Sequence, residues 1–364
     1  LKTVLQIVPR VPGGIDGVGD YALTLAAKLR DRFQCATIFA TSYASLSNVR
    51  GFEVRPLDRV CEQVREFDHI LLHYVNYGYQ KRGIPFGLLS ILRRMRRQHR
   101  RKLVTIFHEL YASGPPWRSE FWLQPLQVHL AKSIARLSDE CIVSSENFLR
   151  ELQRLVPNAS AHLHPVPSGL EEPLLSGDQI ANRDPHRWVI VGGTVLAERS
   201  LRSFGENRRR ISDSIAPRML IVVGGHDNPV TRSLLAGLGM ESAYRPQIAA
   251  AEASDVLKTC SFAWFNYFTR PNVETSMVLK SSAYAAACAH AVIPVFPHRG
   301  SPISVDGDRL PGPFFVDSNS REIPTAAERP QMALNTYEWY QRHASSDSLV
   351  SGVAEVFGLN QASG

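Results

Sequence analysis

The sequence predicts an α/β protein built from two doubly wound parallel-sheet domains. Short β-branched or apolar runs alternate with helical patterns along nearly the whole chain. The alternation breaks once, in a Pro- and Gly-punctuated passage over residues 164–184. Length agrees: 364 residues are many for one core and ordinary for two.

In chain order, the first strands are expected at residues 3–8, 35–40, 70–73, 103–107 and 141–144, with a helix over 22–29 after the first. Strands joined through helices close as a parallel sheet. His164-Pro165-Val166-Pro167-Ser168-Gly169 ends the pattern, so the first domain is set at 1–167. Strands at 188–193, 219–224, 262–267 and 291–296, with helices over 230–238 and 251–259, make a second domain at 168–335. Helices over 332–344 and 348–357, anchored by Trp339 and Tyr340, end the chain. The segment 336–364 is expected to pack back on the first domain.

Composition is that of a packed globular protein, 44% hydrophobic and 21% charged. No apolar run nears the ~20 residues that span a bilayer, and residues 1–8 read as a strand, too short for a leader. Cys35, Cys61, Cys141, Cys260 and Cys288 are widely spaced and mostly set in apolar runs, as buried thiols of a cytoplasmic, reducing compartment would be. A formal charge of +7 favours phosphates, nucleic acid or an anionic membrane, without choosing among them.

In an open parallel sheet, ligands bind beyond the carboxyl ends of the strands, so function is sought there. After the first strand comes Pro12-Gly13-Gly14-Ile15-Asp16-Gly17-Val18-Gly19-Asp20-Tyr21. Glycines admit close backbone approach, and a helix start offers N–H groups to an anion. A tight turn would use the same residues. Gly14, Gly17 and Gly19 lack the G-x-G-x-x-G spacing, and the second strand ends in Ala40-Thr41-Ser42 without an acid, so a dinucleotide fingerprint is not matched.

Pro12-Gly13-Gly14 through Gly17-Val18-Gly19-Asp20-Tyr21-Ala22, with Leu25, Ala26 and Leu29, resembles the first glycine loop and helix of retaining GT-B glycosyltransferases, family 4 especially. That resemblance implies two Rossmann-like domains facing across a cleft, a nucleotide-sugar donor, and Gly17 and Gly19 against the donor pyrophosphate or the acceptor. It also implies that His108, at the end of its strand, orients the donor sugar as a hydrogen-bond donor, with Glu109 beside it. His73, Tyr74 and Asn76 follow the preceding strand and join Glu109 as acceptor-side candidates.

Residues 92–102 form a basic amphipathic helix. Leu88, Ile91, Leu92 and Met95 share one face, while Arg93, Arg94, Arg96, Arg97, Arg100 and Arg101 crowd the rest. Either a solvated face or contact with anionic lipid headgroups suits it, the latter peripheral on the inner face of the cell membrane. Nucleic acid is not expected, because the run lacks interleaved aromatics and no nucleic-acid module is visible.

In the second half, Gly192-Gly193-Thr194 ends a strand and Arg199 lies in the next helix. The resemblance implies two cations on the pyrophosphate here. Arg199 matches one, and Gly193 stands where the other would be. A planar guanidinium suits phosphate. Tyr244-Arg245-Pro246 and the run 262–267 resemble the base-binding region. The family carries two glutamates eight positions apart; counting from 291–295 puts Val278 and Ala286 in their places, so the pair is absent. Lys280-Ser281 before a small-residue helix resembles a divergent subgroup and is expected to meet the diphosphate instead, with Glu274 expected to bind sugar hydroxyls. Asp306-Gly307-Asp308 reads as a turn, and no metal signature is present, so no metal is expected.

The expected function is transfer of a sugar from a nucleotide-diphosphate donor, used as co-substrate with no cofactor, to a glycan or lipid-linked glycan, with retention and without metal. Two alternatives stand beside it. One is a catalytically weakened binding protein of the same shell. The other is a different Rossmann-like enzyme that uses a phosphorylated cofactor.

Overall fold

The computed structural model describes residues 2–11, 17–42, 47–60, 62–98, 101–267, 274–316 and 323–361. The chain divides into two compact units, Leu1–Pro165 with Ser346–Gly364, and Val166–Ser345. The first crossing thus falls two residues before the expected boundary. The terminal segment 336–364, expected to travel together, is split after Ser345.

In the first unit the chain runs β1 Thr3–Ile7, α1 Gly17–Phe33, β2 Ala36–Thr41, β3 Asn48–Val49, β4 Phe52–Pro56, α2 Leu57–Val60, β5 His69–Tyr74, α3 Asn76–Tyr79, α4 Phe86–Gln98, β6 Lys102–Phe107, α5 Ser119–Leu137, β7 Glu140–Val143, α6 Glu146–Leu155 and β8 Ala161–Leu163. Among the described residues the sheet order is β3-β4-β2-β1-β5-β6-β7-β8, parallel except for β3 against β4. β1 is where the winding reverses, with β2 on one side and β5 on the other, and such a switch point opens a crevice at the strand ends. Central strands are buried on both faces because helices cover both. One face packs Tyr74, Leu88, Leu92, Met95, Phe107, Leu130 and Ile134; the other packs Val8, Ala22, Ala26, Phe39 and Phe52.

The second unit runs α7 Gly177–Ala181, β9 Arg187–Val191, α8 Thr194–Asn207, β10 Met219–Val223, α9 Pro229–Ala236, β11 Glu241–Arg245, α10 Ala250–Lys258, β12 Phe262–Trp264, α11 Ser282–Ala289, β13 Ile293–Phe296, a hairpin of β14 Ser304–Val305 and β15 Asp308–Arg309, β16 Phe314–Phe315 and α12 Arg329–His343. Its parallel sheet has the order β11-β10-β9-β12-β13-β16 among the described residues. Trp188 stacks on Phe262 with ring centroids 4.7 Å apart, and Phe204 meets Trp264 edge-on in the same core. Each ring of that size removes enough apolar surface to stabilise the unit by about 2–3 kcal/mol. Helix ends follow their sequence signals. Ser176 and Gln179 form a capping box on α7, and Asn228 caps α9 ahead of Pro229.

α13, Ser346–Phe357, belongs to the first unit and packs on α1. Asp347 in its first turn receives Lys28 at 2.7 Å and Arg32 at 3.0 Å. Cys35, Cys141, Cys260 and Cys288 are buried free thiols, and Cys61 lies outside the described residues.

Candidate functional site

In the first unit, polar side chains meet at the carboxyl ends of β1, β5 and β6. His73, near the end of β5, has its Nε2 2.9 Å from Gln6 Oε1 on β1, and its Nδ1 3.2 Å from His108 Nε2 just beyond β6. With the Gln6 carbonyl as acceptor, His73 carries its proton on Nε2. Its Nδ1 then accepts from His108 Nε2–H. Tyr21, from the first turns of α1, sits edge-on to both imidazoles. His73 is fully buried, and burial, reinforced by the neighbouring His108, holds its pKa well below the usual histidine value. The Tyr21 hydroxyl is pushed up by the same desolvation.

The glycine loop divides here. Pro12, Gly13, Gly14 and the rest of 12–16 lie outside the described residues. Gly17 opens α1, and a Cβ on it would meet nothing within 4 Å; Gly19 is buried in the helix. Steric need thus does not explain Gly17, and the open space beside it is available to a ligand at a helix N-terminus.

The acceptor-side candidates separate. Glu109 is exposed. Tyr74 is fully buried in the apolar core, its ring against Phe107, and its hydroxyl has no partner among the described residues. Asn76 heads α3, also fully buried, with Oδ1 accepting from the Tyr77 amide. Burial takes Tyr74 and Asn76 off any surface an acceptor could touch, which corrects the expectation for both. β5 runs one residue further than the expected 70–73 and takes in Tyr74, and Asn76 opens α3 instead of facing solvent after the strand. His73 is likewise buried, so it reaches a substrate only through His108.

In the second unit, two glycine turns lock together. Gly192 follows β9 with φ +148°, and Gly224 and Gly225 follow β10 with φ +94° and +71°. A Cβ on Gly224 would lie 2.7 Å from the Gly192 carbonyl oxygen, and one on Gly225 would lie 2.8 Å from the Thr194 nitrogen. Thr194 Oγ1 accepts from the His226 amide at 2.8 Å, tying one turn to the other. Only glycine permits such backbone contact. Beside these turns lies a cavity of about 260 Å³ lined by Gly169, Leu170, Gly192, Gly193, Gly224, Gly225, Ile248, Ser282, Ala283 and Ala286, among others.

The starts of α8 and α11 both border this cavity. Gly193 is the N-cap of α8, with open space where its side chain would be, and Ser281 caps α11 by accepting from the Tyr284 amide. Ser281 Oγ therefore serves the helix, and it is the next residues, Ser282 and Ala283, that line the cavity. Among the described residues, no ionisable side chain lines it. Ala286 stands on the wall and Val278 is fully buried, so neither expected carboxylate position carries charge. Two helix N-termini make the site attractive to an anion without a cation.

Arg199 is placed differently from expectation. Its Nε–H donates to the Asn266 carbonyl and its Nη2 to that of Tyr267, at the end of the strand run that contains β12. Partial burial lowers its pKa. It does not line the cavity, so it acts first as a brace for that segment. Lys280 ends the 3-10 turn Thr275–Lys280, half-buried, and Glu274 precedes that turn in an exposed position. Residues 268–273 lie outside the described residues.

The basic run also divides. Arg93, Arg94 and Arg97 are exposed on α4, while Arg96 forms two bonds to the Asp139 carboxylate and Arg101 donates to the Arg65 carbonyl. Arg100 lies outside the described residues. Asp306 and Gly307 form the β14–β15 turn with positive φ, and Asp308 Oδ2 is held by Arg342 at 2.9 Å and His343 at 2.8 Å. Among the described residues, no three His, Cys, Asp or Glu side chains gather as a metal-binding group.

Gly224, Gly225, Gly169, Ile248 and Ser282 are site residues that sequence reasoning missed. The Gly224-Gly225 pair directly after a strand was the available signal.

No family model matches the sequence, and no curated protein does. Solved structures match over nearly the whole length. An alpha-glucosyltransferase in complex with UDP and a 13-mer DNA aligns with TM-score 0.56 at 11% identity, covering 98% of this chain and 99% of that one. A structure described as trehalose-6-phosphate from E. coli, bound with UDP-2-fluoro glucose, aligns with TM-score 0.57 at 9% identity over 99% and 100%. A UDP-glucosyltransferase from Polygonum tinctorium aligns with TM-score 0.52 at 10% identity over 99% of each chain. The fold of this chain is GT-B.

Proposed function

We propose that the chain is a glycosyltransferase that moves a sugar from a nucleotide-diphosphate donor to a hydroxyl of a glycan or lipid-linked glycan, with retention and without a metal. The observation that carries this reading is the glycine-walled cavity of the second unit, bordered by the starts of two helices. It is the kind of site a diphosphate takes: narrow backbone turns, amide donors and helix dipoles. The solved structures of like fold hold UDP or a UDP-sugar analogue.

In this reading the amides of Gly193, Thr194 and Ser282 hold the diphosphate above the Gly192 turn, with Lys280 adding charge and Arg199 bracing the neighbouring segment. His108 and Glu274 orient the sugar, and Gly17 completes the donor contacts, Gly19 being buried within α1. Stabilising the departing nucleotide diphosphate is then the largest catalytic contribution, because preorganised amides need no reorientation as charge develops. An anionic membrane surface presents the lipid-linked acceptor.

A second reading is a binding protein of the same fold that has lost turnover. It is favoured by Ala286 and Val278 at the expected carboxylate positions. Calorimetry with UDP, GDP, ADP and dTDP, followed by transfer assays across a panel of nucleotide sugars, separates the two. Diphosphate binding with transfer supports the enzyme, and binding without turnover for any donor supports the binding protein. Binding of a nicotinamide cofactor with no nucleoside diphosphate bound would overturn both.

A further inference from the structure

The first unit carries an exposed face that the donor site does not use. Trp117 is 83% exposed and Trp122 69%, and Phe86, Phe121 and Leu126 are also exposed large apolar residues. They form one patch. Trp122 Nε1–H donates to the Pro116 carbonyl beside Trp117, the Trp122 and Phe121 rings touch edge-on, and Phe86 of α4 meets His129 of α5. Single exposed apolar residues need no explanation, but a cluster of aromatics around two open tryptophans does.

The solvent faces of α4 and α5 share one arrangement. On α4 the exposed residues Phe86, Ser90, Arg93 and Arg97 fall at helical spacing, and on α5 so do Trp122, Leu126, His129 and Arg136. Both helices are crossovers in one parallel sheet, α4 from β5 to β6 and α5 from β6 to β7, so they run side by side in the same direction. Each face therefore begins apolar, at the end of the sheet where His108 lies, and ends in arginine. Residues 81–138 hold twelve Lys and Arg against two Glu, an excess of ten on a chain whose net charge is +7, so the remainder is net negative.

We infer that the α4–α5 face docks on an anionic lipid bilayer, with Trp117, Phe121, Trp122 and Leu126 entering the interface and Arg93, Arg97 and Arg136 over the headgroups. Indole rings favour the boundary between headgroups and acyl chains, and clustered arginines add attraction that salt screens. Single-stranded nucleic acid suits the face less well. Apart from exposed Arg118 beside Trp117, its apolar and basic ends are segregated rather than interleaved, and Leu126 offers a base no ring to stack on. This deepens the membrane-side acceptor proposed above, and lipid binding is measured without donor or acceptor.

The test is co-sedimentation of the full chain with phosphatidylcholine vesicles containing roughly a third phosphatidylglycerol, or none. Tryptophan quenching by brominated lipid is recorded in parallel. Trp188, Trp264 and Trp339 are buried, so quenching reports on Trp117 and Trp122. The wild-type chain is expected to bind the anionic vesicles only and to be quenched. Trp117→Ala with Trp122→Ala, and separately Arg93→Glu with Arg97→Glu, should each weaken partitioning by at least about tenfold, with the circular dichroism and UDP affinity of the wild type. Absent quenching in the wild-type chain, indifference to anionic lipid, undiminished binding by either double variant, or preference for single-stranded DNA over vesicles overturns the inference. Lipid binding without sugar transfer would count against the proposed enzyme and leave this face standing.

Discussion

His108 Nε2 lies 3.2 Å from Nδ1 of His73, and the two imidazoles lie nearly parallel, 16° apart; with Gln6 Oε1 accepting from His73 Nε2–H, it is His108 that donates. The buried ring of His73 thus decides which nitrogen of the half-buried one carries the proton. Gln6, at the far end of the chain of bonds, decides it for His73.

His73→Phe keeps the size of the buried ring and removes both bonds. It should destabilise the first unit by about 1–3 kcal/mol, because Gln6 is left buried with an unpaired carbonyl. Urea denaturation of the variant against wild type measures it. A change within about 0.5 kcal/mol would mean the chain of bonds contributes little.

Acid should destabilise the protein through its buried imidazoles. Burial lowers the pKa of His73 well below its unfolded value and that of His290 to about 4. Their stabilising effect is complete above the unfolded pKa of 6.5 and is lost as pH falls from there toward the folded values, since the unfolded chain then binds more protons. The slope is up to about 1.4 kcal/mol per pH unit for each proton of difference. Thermal melts from pH 7.5 down to about 4.5 should show the midpoint steady at first and then falling. A midpoint that rises on acidification would contradict the sign.

Gly224→Ala and Gly193→Ala should behave differently. At Gly224 the backbone has φ +94° and the new methyl would press on the Gly192 carbonyl, so about 1–3 kcal/mol of stability and nucleoside-diphosphate binding should both be lost. At Gly193 nothing lies within 4 Å of the new methyl, so the melting midpoint should hold while UDP affinity drops. Unchanged UDP affinity in Gly193→Ala would remove the start of α8 from the donor site.

Arg199→Ala should lower stability as well as diphosphate affinity, because two backbone carbonyls lose a charged donor worth about 1.5–3 kcal/mol each. Lys280→Ala should leave the fold intact and weaken UDP binding about tenfold. Calorimetric titration with parallel denaturation separates the effects, and wild-type affinity in both variants would end the assignment of cations to the diphosphate.

Much of the layout was legible from local pattern. Central strands such as β6 and β10 read as apolar runs because they are buried on both faces, and α10 and α12 showed their periodicity. The edge strands were missed. β11 is Glu-Ser-Ala-Tyr-Arg, half-exposed, and β3 and β8 are two and three residues long; such strands are made by their neighbours rather than by propensity. Arg199 was recognisable as a cation near a glycine turn, but its bonds to the Asn266 and Tyr267 carbonyls join residues 67 and 68 positions away.

The amino-acid order alone determined the α/β class, the two sheets, the glycine turn after β9 and the concentration of arginine in residues 81–138, because periodicity, turn chemistry and charge are local properties. Tertiary structure alone decided that Gly224 closes on Gly192, that His73 is an internal partner of His108, and that Phe86 of α4 meets His129 of α5. Each of those contacts unites residues far apart in the chain, and only the parallel winding of strands and helices brings them together.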